Sequence, residues 1–111
     1  MAERLFVYGT LGPGGPNEHV LSQIGGNWEP GWVRGRLRHL GWGAEMGYPA
    51  IVLGERADPV LGHIFVSEKL ADHWRELDAF EGEEYRRVTT TVHLADQSTV
   101  KAFIYVLRED V

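Results

Sequence analysis

The chain has 111 residues, 43% of them hydrophobic, with 14 glycines, 5 prolines, no cysteine and a formal net charge of −5. That is length for a single domain spanning 1–111 with a real core, and too little Pro plus Gly for disorder; without cysteine there is no disulfide framework and no thiolate nucleophile. No run of Lys or Arg exceeds two residues and no apolar stretch reaches the roughly 18 residues of a membrane span, which argues against a nucleic-acid surface and against a transmembrane helix.

Met1 to Arg4 lacks a signal-peptide pattern, so a cytoplasmic domain is expected. Arg4–Tyr8 is a short apolar run ended by Gly9 and reads as a buried strand. After the glycine-rich loop Gly9–Gly15, Asn17 is placed to cap a short helix over about 17–24, with Val20, Leu21 and Ile24 on its apolar face. Gly31–Leu40 alternates Trp32, Arg34, Arg36 and Arg38 against Val33, Gly35, Leu37 and His39, a strand with one polar face. The glycine-rich 41–47 segment is irregular; Pro49–Leu53 and Val60–Val66 read as two further strands. A main helix is predicted over about 67–81, with Ser67 as its N-cap. Tyr85–Leu94 and Thr99–Leu107 form a final hairpin around Ala95–Ser98, and both faces of Val100–Leu107 are apolar, as in a central strand or a barrel. Strands dominate and do not alternate regularly with helices, so the expected class is α+β with a curved, mainly antiparallel sheet.

Within the main helix, Leu70, Trp74 and Leu77 form the apolar stripe, and Glu81 holds its next position. At 100° per residue Glu81 points within roughly 20° of Leu70. Gly82 marks the helix end, so Glu81 is expected at the negative pole of the helix dipole. Partial burial and that dipole both raise a carboxyl pKa, which suits proton transfer near neutral pH. From this segment alone, a solvated Glu at a frayed helix end fits at least as well.

The loop after the first strand matches neither nucleotide-binding glycine pattern: no Lys or Arg lies between Arg4 and Arg34, and no G-x-G-x-x-G opens a helix. It can still aim successive backbone N–H groups at an anion, with the Thr10 hydroxyl beside them. A tight turn that only redirects the chain is the competing reading.

Phe6-Val7-Tyr8-Gly9-Thr10-Leu11 with Gly14 and Asn17, the segment Tyr48-Pro49-Ala50-Ile51-Val52, and Leu77-Asp78-Ala79-Phe80-Glu81-Gly82 followed by Tyr85 and Arg87 together resemble the gamma-glutamylcyclotransferase-like superfamily. The likeness extends to the last strand with Tyr105, and is greatest to small gamma-glutamylamine cyclotransferases and related short bacterial and plant proteins. One departure is Asn17-Glu18-His19, where many relatives have Asn followed directly by His.

The resemblance implies a small, mixed, mainly antiparallel barrel and an enzyme needing neither metal nor cofactor. Its substrate would be a small gamma-glutamyl compound, whose α-amine attacks its own γ-carbonyl to give 5-oxoproline and a free amine or amino acid. Glu81 matches the family's catalytic Glu, and Tyr8, Gly9, Thr10 and Leu11 its substrate-binding loop. Tyr85 and Tyr105 are further candidates for the substrate site, with a core role equally open for each; Arg87 reads as an ion-pair partner and Asp78 as a solvated flank. His19, His39, His63, His73 and His93 show no metal-ligand spacing. Two other readings fit the fold: a non-catalytic module holding a small carboxylate, and a cyclotransferase acting on a gamma-glutamyl group carried by a larger scaffold.

Overall fold

The structure, a computed structural model, describes residues 3–8, 12–15, 18–38, 50–82 and 85–107. Along the chain these form β1 (Glu3–Val7), α1 (Glu18–Ser22), β2 (Asn27–Arg38), β3 (Ala50–Leu53), β4 (Pro59–Ser67), a 3₁₀ turn at Leu70–Asp72, α2 (Trp74–Glu81), β5 (Tyr85–His93) and β6 (Thr99–Leu107). The strand order is β3-β2-β4-β1-β6-β5, and β2 also pairs with β5, so β2, β4, β1, β6 and β5 close a barrel with β3 as an extra strand. The β1–β6 pair is parallel and the other pairs are antiparallel. This is the α+β, mainly antiparallel mixed barrel that the sequence and the resemblance led us to expect.

Period-2 alternation sorts the strand side chains. Phe6, Val33, Ile64, Val92, Ile104 and Val106 fill the barrel. Leu5, Val7, Phe65 and Tyr105 point outward and are covered by Leu21 of α1, Leu70 of the 3₁₀ turn and Leu77 of α2. Leu5, Leu21, Leu70 and Leu77 are at most 1% exposed, and burial of each such side chain contributes about 1.5–3 kcal/mol. Both helices are therefore fastened to one outer face of the barrel. At Gly62 a Cβ would collide with the Val7 carbonyl and the Phe6 ring, so only glycine lets β4 approach β1 there.

The helix expected over about 67–81 is split. Asp72 N–H bonds Lys69 O (3.1 Å) and His73 N–H bonds Leu70 O (2.9 Å), giving the tight turn before α2 begins at Trp74. Ser67 is the last residue of β4 and not the N-cap of α2: its hydroxyl donates to Gly25 O (2.6 Å) and accepts from Lys69 N–H (3.1 Å). Strand β2 starts at Asn27, through Pro30, earlier than its alternation suggests; its pairing with β5 is confined to Trp32 opposite His93, so Pro30 stands beyond the ladder on that side. The short helix is confined to Glu18–Ser22. Asn17 and the 41–47 segment lie outside the described residues.

Candidate active site

Glu81 is the last residue of α2, four positions after buried Leu77, and so lies on the face that packs on the barrel. The next residue, Gly82, donates its N–H to Asp78 O (3.1 Å) and turns the chain away at φ 91°, ψ 177°. That backbone region is accessible almost only to glycine. Glu81 is thereby held half-buried at the helix end, and burial raises its carboxyl from the ordinary 4.5 to about 7.

Tyr8 follows β1 directly. Its ring points into the barrel beside Phe6, with centroids 6.5 Å apart. Its hydroxyl donates to Tyr105 O (2.7 Å) and accepts from Ile51 N–H (3.2 Å), tying β6 to β3. With that proton committed, the backbone of Tyr8 is the part left to meet a ligand. Burial, followed by the Glu81 charge, pushes the phenol well above its ordinary range, and Tyr85 adds to the rise.

Tyr105 points to the outer face, where its hydroxyl donates to Asp78 Oδ1 (2.6 Å). Burial, the bond to Asp78 and the Asp78 charge raise its pKa, and the Glu81 charge raises it further. Glu81, Tyr8, Tyr85 and Tyr105 thus converge at one end of the barrel. The Tyr105 hydroxyl is committed to Asp78. Gly9, Thr10 and Leu11 lie outside the described residues, as do Glu83 and Glu84.

Asp78 is more than the solvated flank expected of it. Arg87 grips it through Nε to Oδ1 (3.0 Å) and a terminal nitrogen to Oδ2 (3.3 Å), beside the Tyr105 bond. Burial, the largest single influence, acts to raise this carboxyl, but the Arg87 and Tyr105 hydrogen bonds and the Arg87 charge together hold it below its ordinary value. Arg87 itself lies over Trp74 (4.2 Å to the ring centroid) and Phe103 (5.0 Å), and Trp74 Nε1 donates to Glu3 Oε2 (2.6 Å). The signal that places these groups together is the β5–β6 register, which sets Arg87 directly opposite Tyr105. Among the described residues, no three His, Cys, Asp or Glu side chains gather as metal ligands, and no helix is long and apolar enough to cross a membrane.

A closed, mixed, mainly antiparallel barrel with one extra strand and two helices on its outer face is a known class of fold. Residues 5–111 match the family described as "Gamma-glutamyl cyclotransferase, AIG2-like", and the chain belongs to that family. No curated protein matches it. Among solved structures, YkqA from Bacillus subtilis superposes with a TM-score of 0.73 at 28% identity over 97% of this chain, which spans only 36% of YkqA. An AIG2-like protein from Mus musculus gives a TM-score of 0.72 at 27% identity, covering 95% of this chain and 76% of the mouse protein. A third structure, described as a gamma-glutamyl cyclotransferase, gives 0.68 at 15% identity, with 97% of this chain and 68% of that one covered, a likeness of fold alone.

Proposed function

We propose that this chain is a gamma-glutamyl cyclotransferase that releases 5-oxoproline from small gamma-glutamyl compounds, with Glu81 as general acid and base. The observation that carries this reading is the half-buried Glu81 carboxyl, raised to about 7, beside the strand end at Tyr8. The substrate's α-nitrogen attacks its own γ-carbonyl carbon. The new C–N bond closes a five-membered ring, the old C–N bond to the leaving amine breaks, and one proton passes from the α-nitrogen to the leaving nitrogen. No water, oxidant or reductant enters this balance. A carboxyl near pH 7 is partly ionised in neutral solution, so it can accept the first proton and return it. Ring closure within one molecule supplies the proximity, leaving the protein to fold the substrate into its attacking shape.

In this reading the backbone of Tyr8, Gly9, Thr10 and Leu11 holds the substrate's α-carboxylate through N–H dipoles, which lets a chain of net charge −5 bind an anion. Tyr85 borders the substrate, and Tyr105 acts through Asp78. A buried carboxylate beside an anion cradle would weaken a module that only bound carboxylates, and that favours the enzyme. Small soluble substrates and a cysteine-free chain suit the cytoplasm.

The test is 5-oxoproline release from a panel of gamma-glutamyl amines and amino acids, run beside Glu81→Gln. Loss of a general acid/base lowers turnover on the order of 10²–10⁴-fold. Full activity in the variant would remove Glu81 from the mechanism, and silence from folded wild type across the panel would remove the reaction.

A further inference from the structure

Asp78 is bonded more completely than its place in the helix requires. It stands in the last turn of α2, where the helix dipole disfavours an anion, and that turn holds no basic residue of its own. Its side chain is about half exposed, and an ion pair in such a place adds little to stability. Three hydrogen bonds nevertheless converge on this one carboxylate. Arg87 Nε (3.0 Å) and the Tyr105 hydroxyl (2.6 Å) both donate to Oδ1, and a terminal Arg87 nitrogen donates to Oδ2 (3.3 Å). The donors come from two strands, β5 and β6, at positions directly opposite one another. The guanidinium is itself held flat over Trp74 (4.2 Å to the ring centroid) and beside Phe103 (5.0 Å), so its fork has a fixed direction.

Helix α2 has eight residues, short of the roughly 12–15 at which an isolated helix becomes stable. Its orientation therefore comes from what fastens it. At its start, Trp74 Nε1 donates to Glu3 Oε2 (2.6 Å) and the indole meets Phe103 edge-on, with centroids 4.9 Å apart. In the middle, Leu77 is buried against the barrel. At its end, Asp78 ties the last turn to the β5–β6 hairpin, and Gly82 N–H returns to Asp78 O (3.1 Å), closing the turn that contains Glu81. Glu81 lies about 60° round the helix from Asp78 and about 4.5 Å further along. A side chain about 6 Å from the axis moves by about 1 Å when its turn rotates by about 10°. A misplacement of that size costs on the order of 10²-fold in rate.

We infer that Asp78 is a positioning residue: the bonds it receives from Arg87 and Tyr105 clamp the last turn of α2 to the β5–β6 hairpin and fix where the Glu81 carboxyl stands against the end of β1. This role rests on the proposed cyclotransferase reading, and it leaves Asp78 itself outside the reacting atoms. Arg87 is the other half of the clamp.

The experiment measures kcat and KM on the panel substrate that wild type turns over fastest, in wild type, Asp78→Asn, Arg87→Gln and the double variant, with circular dichroism verifying the fold of each. Each single variant should lower kcat by between about 10-fold and 100-fold with KM within about twofold. The double variant should lose no more than either single one, because both remove the same clamp. Glu76→Gln breaks the exposed pair with His73 (3.2 Å) on the first turn of the same helix, and should leave kcat unchanged. A purely structural role would lower the melting temperature and leave kcat at 25 °C where it was. Full kcat in folded Asp78→Asn or Arg87→Gln, losses that multiply in the double variant, or an equal loss in Glu76→Gln would each overturn the clamp while leaving the reaction standing. If wild type releases no 5-oxoproline, the proposed reaction fails, and amide hydrogen exchange judges the clamp by itself. Exchange at Gly82 N–H at least tenfold faster in Asp78→Asn, with the Leu77 amide unchanged, would sustain it, and equal rates at Gly82 would overturn it.

Discussion

Replacing Glu81 with Gln separates catalysis from stability, because the same burial that tunes the carboxyl also costs the fold free energy. The carboxyl titrates near 7 in the folded chain against an ordinary 4.5. The folded state therefore holds the proton more tightly than the unfolded state, and between pH 4.5 and about 7 stability falls as pH rises. The full gap corresponds to about 3 kcal/mol. Because Glu81 keeps some solvent contact, the observable part is closer to about 2 kcal/mol, or roughly 8 °C in melting temperature for a chain of this size. Glu81→Gln should melt higher than wild type by that order at pH 8, with the advantage fading towards zero at pH 4. Thermal melts across this range, monitored by circular dichroism, measure it. Alongside, kcat/KM of wild type should rise with pH through an apparent pKa near 7, and the variant should lose that limb together with its turnover. A Glu81→Gln melting temperature at or below wild type at pH 8, or an advantage independent of pH, would refute the buried-carboxylate argument and assign Glu81 a structural bond instead.

Tyr8→Phe removes the hydroxyl that joins Tyr105 O to Ile51 N–H; it should cost about 1–3 kcal/mol, read as a lower urea midpoint at constant m, and an unchanged midpoint would deny the bridge. Asp78→Asn breaks the pair with Arg87 at a partly exposed position and should cost about 1 kcal/mol at neutral pH. Because the Asp78 carboxyl is held below its ordinary 3.8, that contribution is present above about pH 4 and disappears as pH falls through the folded value; melts at pH 7 and pH 2.5 should show the difference and its loss. Gly82→Ala meets no atom within 4 Å, so its penalty is one of backbone alone. At φ 91°, ψ 177° that penalty is on the order of 1–3 kcal/mol, and turnover should fall with it because Glu81 shifts; a variant as stable and active as wild type would refute the end-of-helix geometry.

The elements themselves were legible because the chain's periodicities are clean. The alternating run of β2, the short apolar run of β1, the run that became β4 and the two arms of the final hairpin all correspond to barrel strands, and the Leu70–Trp74–Leu77 stripe survives the break between the 3₁₀ turn and α2, since Leu70 and Leu77 still reach one buried face. What composition could not reveal was register. A hairpin turning around Ala95–Ser98 suggests a four-residue connection, but Leu94 N–H bonds Ser98 O, and Gln97 takes φ 72°. The connection is therefore Ala95–Gln97, with a left-handed residue that is not glycine and so leaves no local signal. A shift of one residue in that pairing would set Arg87 against a neighbour of Tyr105 whose side chain points into the barrel. Barrel closure was equally hidden, because it depends on a single β2–β5 pair, Trp32 with His93.

That register also decides how two carboxyls three residues apart on one short helix acquire opposite characters. Asp78 and Glu81 share the last turn of α2. Asp78 faces the β5–β6 hairpin where Arg87 and Tyr105 stand opposite one another, receives hydrogen bonds from both, and is held ionised well into the acid range. Glu81 faces the end of β1, where burial dominates, and its carboxyl rises to about 7. A guanidinium held by two bonds to Asp78, and stacked over Trp74, keeps its direction towards that partner. Were Arg87 turned to Glu81 instead, the pair would lower the Glu81 carboxyl and leave it too weak a base to take a proton from an amine. Arg87 is engaged at Asp78 while burial sets the Glu81 carboxyl near 7, and in the proposed reaction these two environments on one helix turn divide the roles of anchor and proton carrier.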